Sequence, residues 1–158
     1  PSLAFDSYSI YLVRHAEKVA NSDNPSLTNC GASRAAMIAN ILSKTNISSI
    51  YSTSYERTMQ TAKPLADLNN SPIKVYNPKL LDQLALLLQQ KNENALVVGH
   101  SNTTPVFANK ILGDKIYENM DDNDNASLYI VTIIGDKKES KIVVSVKKEN
   151  KKKLPMII

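Results

Sequence analysis

The sequence predicts an α/β fold: a three-layer sandwich with a mostly parallel central sheet, helices on both faces and an antiparallel hairpin at the sheet edge near the C-terminus. Two observations support this prediction. From residue 9 to residue 112, short apolar strand patterns alternate with helical patterns, an order that is typical of parallel sheets. Two further strand patterns then flank Gly135-Asp136, a dipeptide typical of hairpin turns.

The first half of the chain contains two strand-helix pairs. A β-branched and aromatic run at 9–13 predicts a buried strand that ends in a charged loop. A helix is predicted over 28–44, with its first residue, a threonine, as the N-cap. A second strand at 47–51 leads to a helix over 55–62, which Pro64 is expected to kink.

The second half of the chain repeats this alternation and ends in the hairpin. The predicted elements are, in order, 73–76, 80–90, 95–98, 103–112, 128–134 and 141–146. The second and fourth of these are helices, and the other four are strands. Pro105 is tolerated in the first turn of its helix, where its missing N–H has no helical partner to lose. A polar loop at 121–125 precedes the hairpin.

Size and composition predict a single domain over residues 1–158 that ends in a Lys-rich segment. The 158 residues are 42% hydrophobic, which suits one core and is too little for two ordinary domains. No apolar run reaches the roughly 18 to 20 residues of a membrane span, so we expect none. Residues 136–158 hold eight Lys and three acids, so the net charge of +4 resides in this end. Without interleaved aromatics such an end is typical of a solvated surface, and we expect no nucleic-acid partner.

Arginine and histidine are scarce, and most of them follow predicted strands. Of the 19 basic residues only three are Arg, and there are two His; these are Arg14, Arg34, Arg57, His15 and His100. Arg offers a planar fork that binds phosphate at two points, whereas Lys is a flexible point charge. Ligands of open α/β sheets bind at the carboxyl ends of strands, where Arg14, His15 and His100 are predicted to lie. Arg57 begins a helix after another strand, so the sequence predicts an oxyanion site at this edge.

Three segments resemble the motifs of one known family: 12–18 (LVRHAEK), 51–62 (YSTSYERTMQTA) and 97–103 (VVGHSNT). Together, and in the family's order, they resemble the histidine phosphatase superfamily, the phosphoglycerate-mutase-like group. The segment 25–31, followed by Arg34, also resembles the part of the family after the first motif. The resemblance extends from about residue 9 to residue 134 and is to small bacterial members of the RHAEK type.

This resemblance implies the roles of four residues. His15 is the residue that is phosphorylated, while Arg14, Arg57 and a protonated His100 surround the phosphoryl oxygens. A neutral imidazole is nucleophilic near neutral pH, and a phosphohistidine intermediate replaces one hard displacement by two easier ones. Cations offset the charge on the oxygens, so no metal or other cofactor is expected. We therefore expect a phosphomonoester hydrolase of the histidine acid phosphatase type, acting on a small-molecule phosphoester or a phosphoprotein.

The proton donor for the leaving group is the least defined part of the predicted site. Much of the superfamily has a carboxylic acid beside the second histidine or after the second helix, but Ser101 and Asn102 follow His100 here. Glu17, on the same loop as the nucleophile, is the preferred catalytic acid, and Asp82 is the alternative. Glu17 could instead orient a neighbouring cation, and Asp82 could cap its helix.

Three further residues near the motifs have expected roles. Asn102 is predicted to bind phosphate, either through its side chain or through the start of the helix that follows it. Arg34 is expected to brace the loop of the first motif. Cys30 is expected to be an inert thiol, and a lone cysteine excludes an intramolecular disulfide and a zinc site built on several thiolates.

Two alternatives to hydrolysis remain open. A phosphoglycerate-type mutase must shield its phosphohistidine from water, and such mutases resemble longer chains with insertions over the site, so the short chain favours hydrolysis. A non-catalytic phosphate- or phosphoprotein-binding module on the same fold would be expected to lack the nucleophile or an arginine, and all are present. The chain begins at Pro1, which together with the resemblance favours a periplasmic or secreted protein whose signal peptide was removed. The sequence does not predict the substrate or the oligomeric state.

Overall fold

A six-stranded sheet with four helices makes up residues 7–145, the part of the chain that the computed structural model describes. The elements are, in chain order, β1 (Ser7–Arg14), α1 (Asn29–Leu42), β2 (Ser49–Ser52), α2 (Glu56–Asn69), β3 (Ile73–Val75), α3 (Leu81–Lys91), β4 (Ala95–Gly99), α4 (Thr103–Leu112), β5 (Ser127–Ile134) and β6 (Lys137–Val144). The strand order is β3-β2-β4-β1-β5-β6. β1, β2, β3 and β4 are parallel to one another, whereas β5 runs antiparallel to both β1 and β6. The predicted sheet and its C-terminal hairpin are therefore confirmed.

Two helices cover each face of the sheet. On one face, Ile38 of α1 and Leu65 of α2 share a core with Ile50 of β2. On the other face, Leu88 of α3 and Phe107 of α4 pack into a second core. Burying one such side chain contributes roughly 1.5–3 kcal/mol, so the two cores hold the three predicted layers together. Within residues 7–145, no helix has the length and apolar character needed to cross a membrane.

The strand order places three polar loops side by side. β1 pairs with β4 so that Arg14 lies opposite Gly99, and β2 pairs with the other side of β4 so that Ser52 lies opposite Val98. The N–H of His15 donates to the carbonyl of Gly99 (2.9 Å), which extends the pairing by one residue. The segments that follow these three strands therefore begin next to each other, at the carboxyl edge of the sheet.

The loop after β1 is held against the start of α1. Thr28 caps this helix as predicted, because its hydroxyl accepts from the N–H of Gly31 (3.0 Å). The N–H of Thr28 donates to the carbonyl of Glu17 (2.9 Å). A Cβ atom on Gly31 would overlap that carbonyl oxygen, so glycine permits the close approach of helix and loop.

Two element boundaries differ from the prediction by more than two residues. α2 continues well past the predicted end at residue 62 and through Pro64, because Leu65 beyond the proline is buried in the core. β6 begins at Lys137 instead of residue 141. The first half of this strand is polar, but it pairs with β5 through backbone hydrogen bonds, which do not depend on the polarity of the side chains. The last residue of the predicted strand and the rest of the Lys-rich end lie outside the described residues.

Candidate active site

His15 is the first residue after β1, and its ring is oriented by a backbone contact. Asn125 Nδ2 donates to the carbonyl of His15 (3.0 Å), and the ring nitrogen Nδ1 lies 2.8 Å from the carbonyl oxygen of Ala16. Because a carbonyl only accepts, Nδ1 carries the hydrogen and donates it. Nε2 then has a free lone pair and no hydrogen-bond partner among the residues that the structure describes, which is the state that a nucleophilic imidazole requires.

The first turns of α2 position Arg57 and connect it to the loop of His15. Thr61 Oγ1 donates to the carbonyl of Arg57 (2.7 Å) and accepts from the N–H of Ala16 (2.9 Å). The guanidinium carbon of Arg57 lies 4.6 Å from the centroid of the Tyr55 ring, a cation–π contact. The second motif therefore fixes both a cation and the nucleophile loop.

His100 follows β4 and lies beside His15. The two ring centroids are 5.8 Å apart, with the ring planes at 64°. The N–H of His100 donates to Thr103 Oγ1 (2.9 Å) at the start of α4, and its Nε2 is hydrogen-bonded to the buried hydroxyl of Thr53 (2.9 Å). The ring of Tyr55 packs edge-on against it, with centroids 5.1 Å apart. The orientation of His100 is thus fixed by contacts on several sides.

An open cavity of about 380 Å³ lies between these residues. It is lined by His15, Lys18, Tyr55, Arg57, Pro78, His100, Ser101, Asn102 and Thr103. Four residues of the predicted site, His15, Arg57, His100 and Asn102, are therefore brought together. Asn102 precedes α4 and makes no capping bond through its side chain, which leaves the amide available to a ligand.

Arg14 does not line the cavity itself and is fixed by the loop before β5. Its Nη1 donates to the carbonyl oxygens of Asp121 (3.3 Å), Asp122 (2.9 Å) and Asp124 (3.1 Å). Three acceptors on one nitrogen hold the guanidinium in one orientation. The polar loop at 121–125 therefore positions the arginine that precedes the nucleophile.

Two buried donors of this site, Nε of Arg14 and Nε of Arg57, have no hydrogen-bond partner within residues 7–145. An unpaired buried donor costs about 1–3 kcal/mol, and more when the group is charged. Among residues 7–145 the other such side-chain atoms are Ser49 Oγ and Tyr51 Oη, which belong to uncharged side chains. An oxyanion bound in the cavity would supply acceptors for Arg57, which lines it, and its charge would offset that of both guanidinium groups.

Glu17, predicted as the catalytic acid, lies in an ion pair with Arg34 and does not line the cavity. Its carboxylate oxygens accept from Nε and Nη2 of Arg34 at 2.9 to 3.1 Å. Nη1 of Arg34 donates to the carbonyl (3.0 Å) and the hydroxyl (2.9 Å) of Ser145. We call Glu17, Arg34 and Ser145 the brace, because they tie the nucleophile loop to α1 and to the end of β6. Arg34 thus has the expected bracing role, and the carboxylate of Glu17 is directed to it instead of to a leaving group.

Asp82, the alternative acid, also lies outside the cavity. Its side chain is 83% exposed and pairs with Lys110 of α4 at 2.7 Å. Among the described residues that line the cavity there is no carboxylate. The cavity therefore combines cationic and neutral groups without an acid of the kind predicted.

The motifs in this site agree with a match to a family. A family model described as the histidine phosphatase superfamily (branch 1) matches residues 10–81, which include the segments around His15 and Arg57. Over residues 10–81 the chain is therefore similar to the histidine phosphatase superfamily. No match was found among curated proteins.

Several solved structures share the histidine phosphatase fold at low sequence identity. The protein histidine phosphatase SixA complexed with tungstate is 17% identical, with a TM-score of 0.70 over 87% of this chain and 97% of that one. The α-ribazole phosphatase from Shigella flexneri is 13% identical, with a TM-score of 0.70 over 87% and 96%. A mycobacterial glucosyl-3-phosphoglycerate phosphatase is 13% identical, with a TM-score of 0.68 over 89% and 100%. The similarity establishes the fold, and the different names of these proteins mean that the fold does not select a substrate.

Both histidines of the candidate site have lowered pKa values, which favours the neutral rings at pH 7. Burial lowers the pKa of His15 to about 4; the hydrogen bond to Ala16 opposes this shift, and the charge of Arg14 adds to it. Burial likewise lowers the pKa of His100 to about 4, with the charge of Arg57 as the next cause. Neutral His15 is the nucleophilic form. The sequence led us to expect a protonated His100. In the protein without a ligand the neutral ring is favoured instead, because burial beside cations disfavours the charged ring.

Several residues of the site were missed from the sequence. Lys18, Tyr55 and Pro78 line the cavity, and Thr53 contacts His100. Lys18 lies in the same motif as Arg14, and Tyr55 lies in the same motif as Arg57. Their positions in the motifs could have identified both as residues of the site. Thr53 also lies in the second motif, but His100 is 47 residues away, so no local pattern predicts the contact between them. Pro78 lies in the loop after β3, outside the motifs, and no local pattern places it at the site.

Proposed function

We propose that this protein hydrolyses phosphomonoesters and phosphoramidates such as phosphohistidine through a phosphohistidine intermediate on His15. The observation that carries the proposal is a nucleophile placed beside unpaired cationic donors. Nε2 of His15 has a free lone pair, and His15 and Arg57 line one cavity. The Nε atoms of Arg14 and Arg57 are buried and have no partner in the described part of the chain. Donors fixed in advance around a transferred phosphoryl group are the main source of catalysis in this chemistry.

The proposed reaction consists of two displacements at phosphorus. In the first, the Nε2 lone pair of His15 forms a bond to phosphorus while the bond to the leaving atom breaks, and the leaving group departs with that electron pair. In the second, a water oxygen bonds to phosphorus, the P–N bond breaks, and its electron pair returns to Nε2. The water loses a proton and inorganic phosphate is released. Arg14 and Arg57 offset the charge on the phosphoryl oxygens in both steps.

Among the described residues that line the cavity no carboxylate is present to protonate a leaving group, and this favours substrates whose leaving group needs no proton. An alkoxide needs a proton as it departs, whereas an imidazole that carries a hydrogen on its other nitrogen departs as a neutral molecule. Phosphohistidine in a protein is therefore our preferred substrate class over alkyl phosphates. The similarity of fold to SixA, which is named as a protein histidine phosphatase, supports the same choice. Glu17 as a proton donor is less well supported, since Arg34 binds both of its oxygens.

We propose that the reaction needs no metal or other cofactor. The guanidinium groups of Arg14 and Arg57 supply the positive charge that metal ions supply in many other phosphoryl-transfer sites. Within residues 7–145, no three His, Cys, Asp or Glu side chains are grouped in a way that could hold a metal ion.

Turnover by the purified protein, with and without a chelator, tests the proposal. The substrates are p-nitrophenyl phosphate, a phosphohistidine peptide, glycerol phosphate, and 3-phosphoglycerate with a trace of bisphosphoglycerate. We expect chelator-resistant hydrolysis of the first two, with loss of turnover in His15→Ala and normal turnover in the control variant Asp82→Asn. Interconversion of phosphoglycerates without release of phosphate would favour a mutase. Phosphate binding without turnover of any of these compounds would favour a binding module.

A further inference from the structure

The hydroxyl of Thr53 belongs to a hydrogen-bond chain that determines which nitrogen of His100 carries hydrogen. Thr58 Oγ1 donates towards the carbonyl oxygens of Thr53 (2.9 Å) and Tyr55 (3.0 Å), which only accept. The same Thr58 oxygen accepts from Thr53 Oγ1 (2.8 Å). With its hydrogen directed to Thr58, the oxygen of Thr53 accepts from Nε2 of His100 (2.9 Å). Nε2 therefore carries the hydrogen of the neutral ring, and Nδ1 has the free lone pair.

This chain is sealed from solvent. Thr53 and Thr58 are both fully buried, with 0% of their surface exposed, so water does not compete for the hydroxyl groups. The rings of Tyr55 and His15 pack edge-on against His100 and restrict its rotation. The assignment of the hydrogen to Nε2 thus follows from fixed geometry.

The two histidines of the site are held by opposite nitrogens. His15 donates from Nδ1 to the carbonyl of Ala16, whereas His100 donates from Nε2 to Thr53. We propose that Thr53 is a positioning residue that holds His100 in the Nε2–H tautomer, opposite to the Nδ1–H tautomer of His15, and so presents Nδ1 of His100 to the phosphoryl transfer. The tautomer depends only on these contacts, and the part in catalysis rests on the proposed function.

An unprotonated Nδ1 gives His100 a chemical task in the second displacement. Once phosphorus is bonded to Nε2 of His15, Nδ1 of His100 is the free imidazole lone pair among the described residues that line the cavity, where Lys18 and Arg57 are cations. The water oxygen bonds to phosphorus, the P–N bond to His15 breaks, and the water proton passes to Nδ1 of His100 and then to solvent. His100 returns to the neutral Nε2–H form, and the atoms and charges balance.

Nitrogen NMR of protein labelled with ¹⁵N-histidine tests the tautomers directly. The sequence has only two histidines, so the spectrum is simple, and His15→Asn and His100→Asn assign the signals. At pH 7 we expect two neutral rings, with the hydrogen on Nδ1 in His15 and on Nε2 in His100. Hydrogen on Nδ1 in both rings, or a charged His100, would overturn the proposal whether or not the protein hydrolyses phosphoesters.

Two substitutions of Thr53 test its positioning role. Thr53→Val keeps the shape but removes the acceptor, whereas Thr53→Ser keeps it. We expect Thr53→Val to mix the His100 tautomers and to lower kcat by about 10- to 100-fold with a smaller change in KM, by analogy with other residues that orient a functional histidine. Thr53→Ser should keep the single tautomer and most of kcat.

The outcomes separate the positioning role from the proposed function. A folded Thr53→Val protein with a single Nε2–H tautomer and normal kcat would contradict the role of Thr53. If Thr53→Val does not fold, the wild-type and Thr53→Ser spectra decide the question. If the wild-type protein shows the two opposite tautomers but hydrolyses none of the test substrates, the proposed function fails and the assignment of the tautomers stands.

Discussion

The cavity and the brace each contain an arginine, but the hydrogen bonding of the two guanidinium groups is opposite. In the brace, Nε, Nη1 and Nη2 of Arg34 all donate to Glu17 or Ser145. Beside the cavity, Arg57 packs on Tyr55, and its buried Nε has no partner among residues 7–145. A saturated guanidinium stabilises the fold, whereas one with unpaired donors can bind an anion. Unpaired buried donors, rather than arginine as such, therefore distinguish the candidate binding site from the brace that supports it.

Arg14 has both fully hydrogen-bonded and unpaired donors in one guanidinium group. Its Nη1 is saturated by three carbonyl groups of the loop before β5, while its Nε is buried without a partner. One side of the guanidinium is therefore fixed by the fold, and a donor remains for a ligand. This arrangement explains how a flexible side chain next to the nucleophile is kept in one orientation.

Arg57→Lys is expected to have the largest effect that this comparison predicts. The substitution keeps the charge but removes the planar fork and its stacking on Tyr55. We expect kcat/KM to fall by about 10²- to 10³-fold, about 3–4 kcal/mol of transition-state stabilisation, with little change in stability. Steady-state kinetics and urea unfolding measure the two effects. A near-normal kcat/KM would mean that Arg57 does not bind the transferred phosphoryl group at two points.

Arg34→Met is expected to act mainly on stability. It removes the hydrogen bonds from Arg34 to Glu17 and Ser145, and we expect the free energy of unfolding to fall by about 2–4 kcal/mol, with less than a tenfold loss in kcat/KM. Lys63→Met is the matched control, because the Lys63–Asp67 pair is 67% and 64% exposed. Its loss should cost about 0–0.5 kcal/mol. Equal costs for the two variants, or a larger loss of activity than in Arg57→Lys, would contradict the division between brace and cavity.

The lowered pKa values of the two histidines predict a smaller effect that depends on pH. Both rings titrate at about 4 in the folded protein, against 6.5 ordinarily, so the unfolded chain binds more protons between these values. The contribution to stability is fully present above about pH 6.5 and is lost as the pH falls towards 4. Urea midpoints measured from pH 7.5 to pH 4.5 should therefore fall, and less steeply in His100→Asn. The acidic limb of kcat/KM should likewise lie near pH 4, and a limb at 6.5 would contradict the lowered pKa of His15.

The fold and the main site residues could be predicted because their signals are local. Alternating strand and helix patterns predicted the layers, and motifs directly after strands predicted His15 and His100. The role of Glu17 could not be predicted in this way, since Arg34 reaches it only when α1 packs against the loop, an approach that Gly31 permits. The contact of Thr53 with His100 similarly depends on the pairing of β2 with β4. Contacts made by packing, in contrast to motifs, have no counterpart in the local pattern.

Trapping the phosphorylated intermediate tests most directly whether the phosphoryl group passes through Nε2 of His15. Brief mixing with p-nitrophenyl [³²P]phosphate, followed by an alkaline quench, should leave label on the protein that is stable to base and lost in acid. Mass spectrometry should locate the phosphate on His15, and His15→Asn should take up none. His100→Asn should still accept the label but release it slowly, because attack on phosphorus does not require His100 whereas activation of the water does. Label on any other residue, or normal turnover by His15→Asn, would contradict the account.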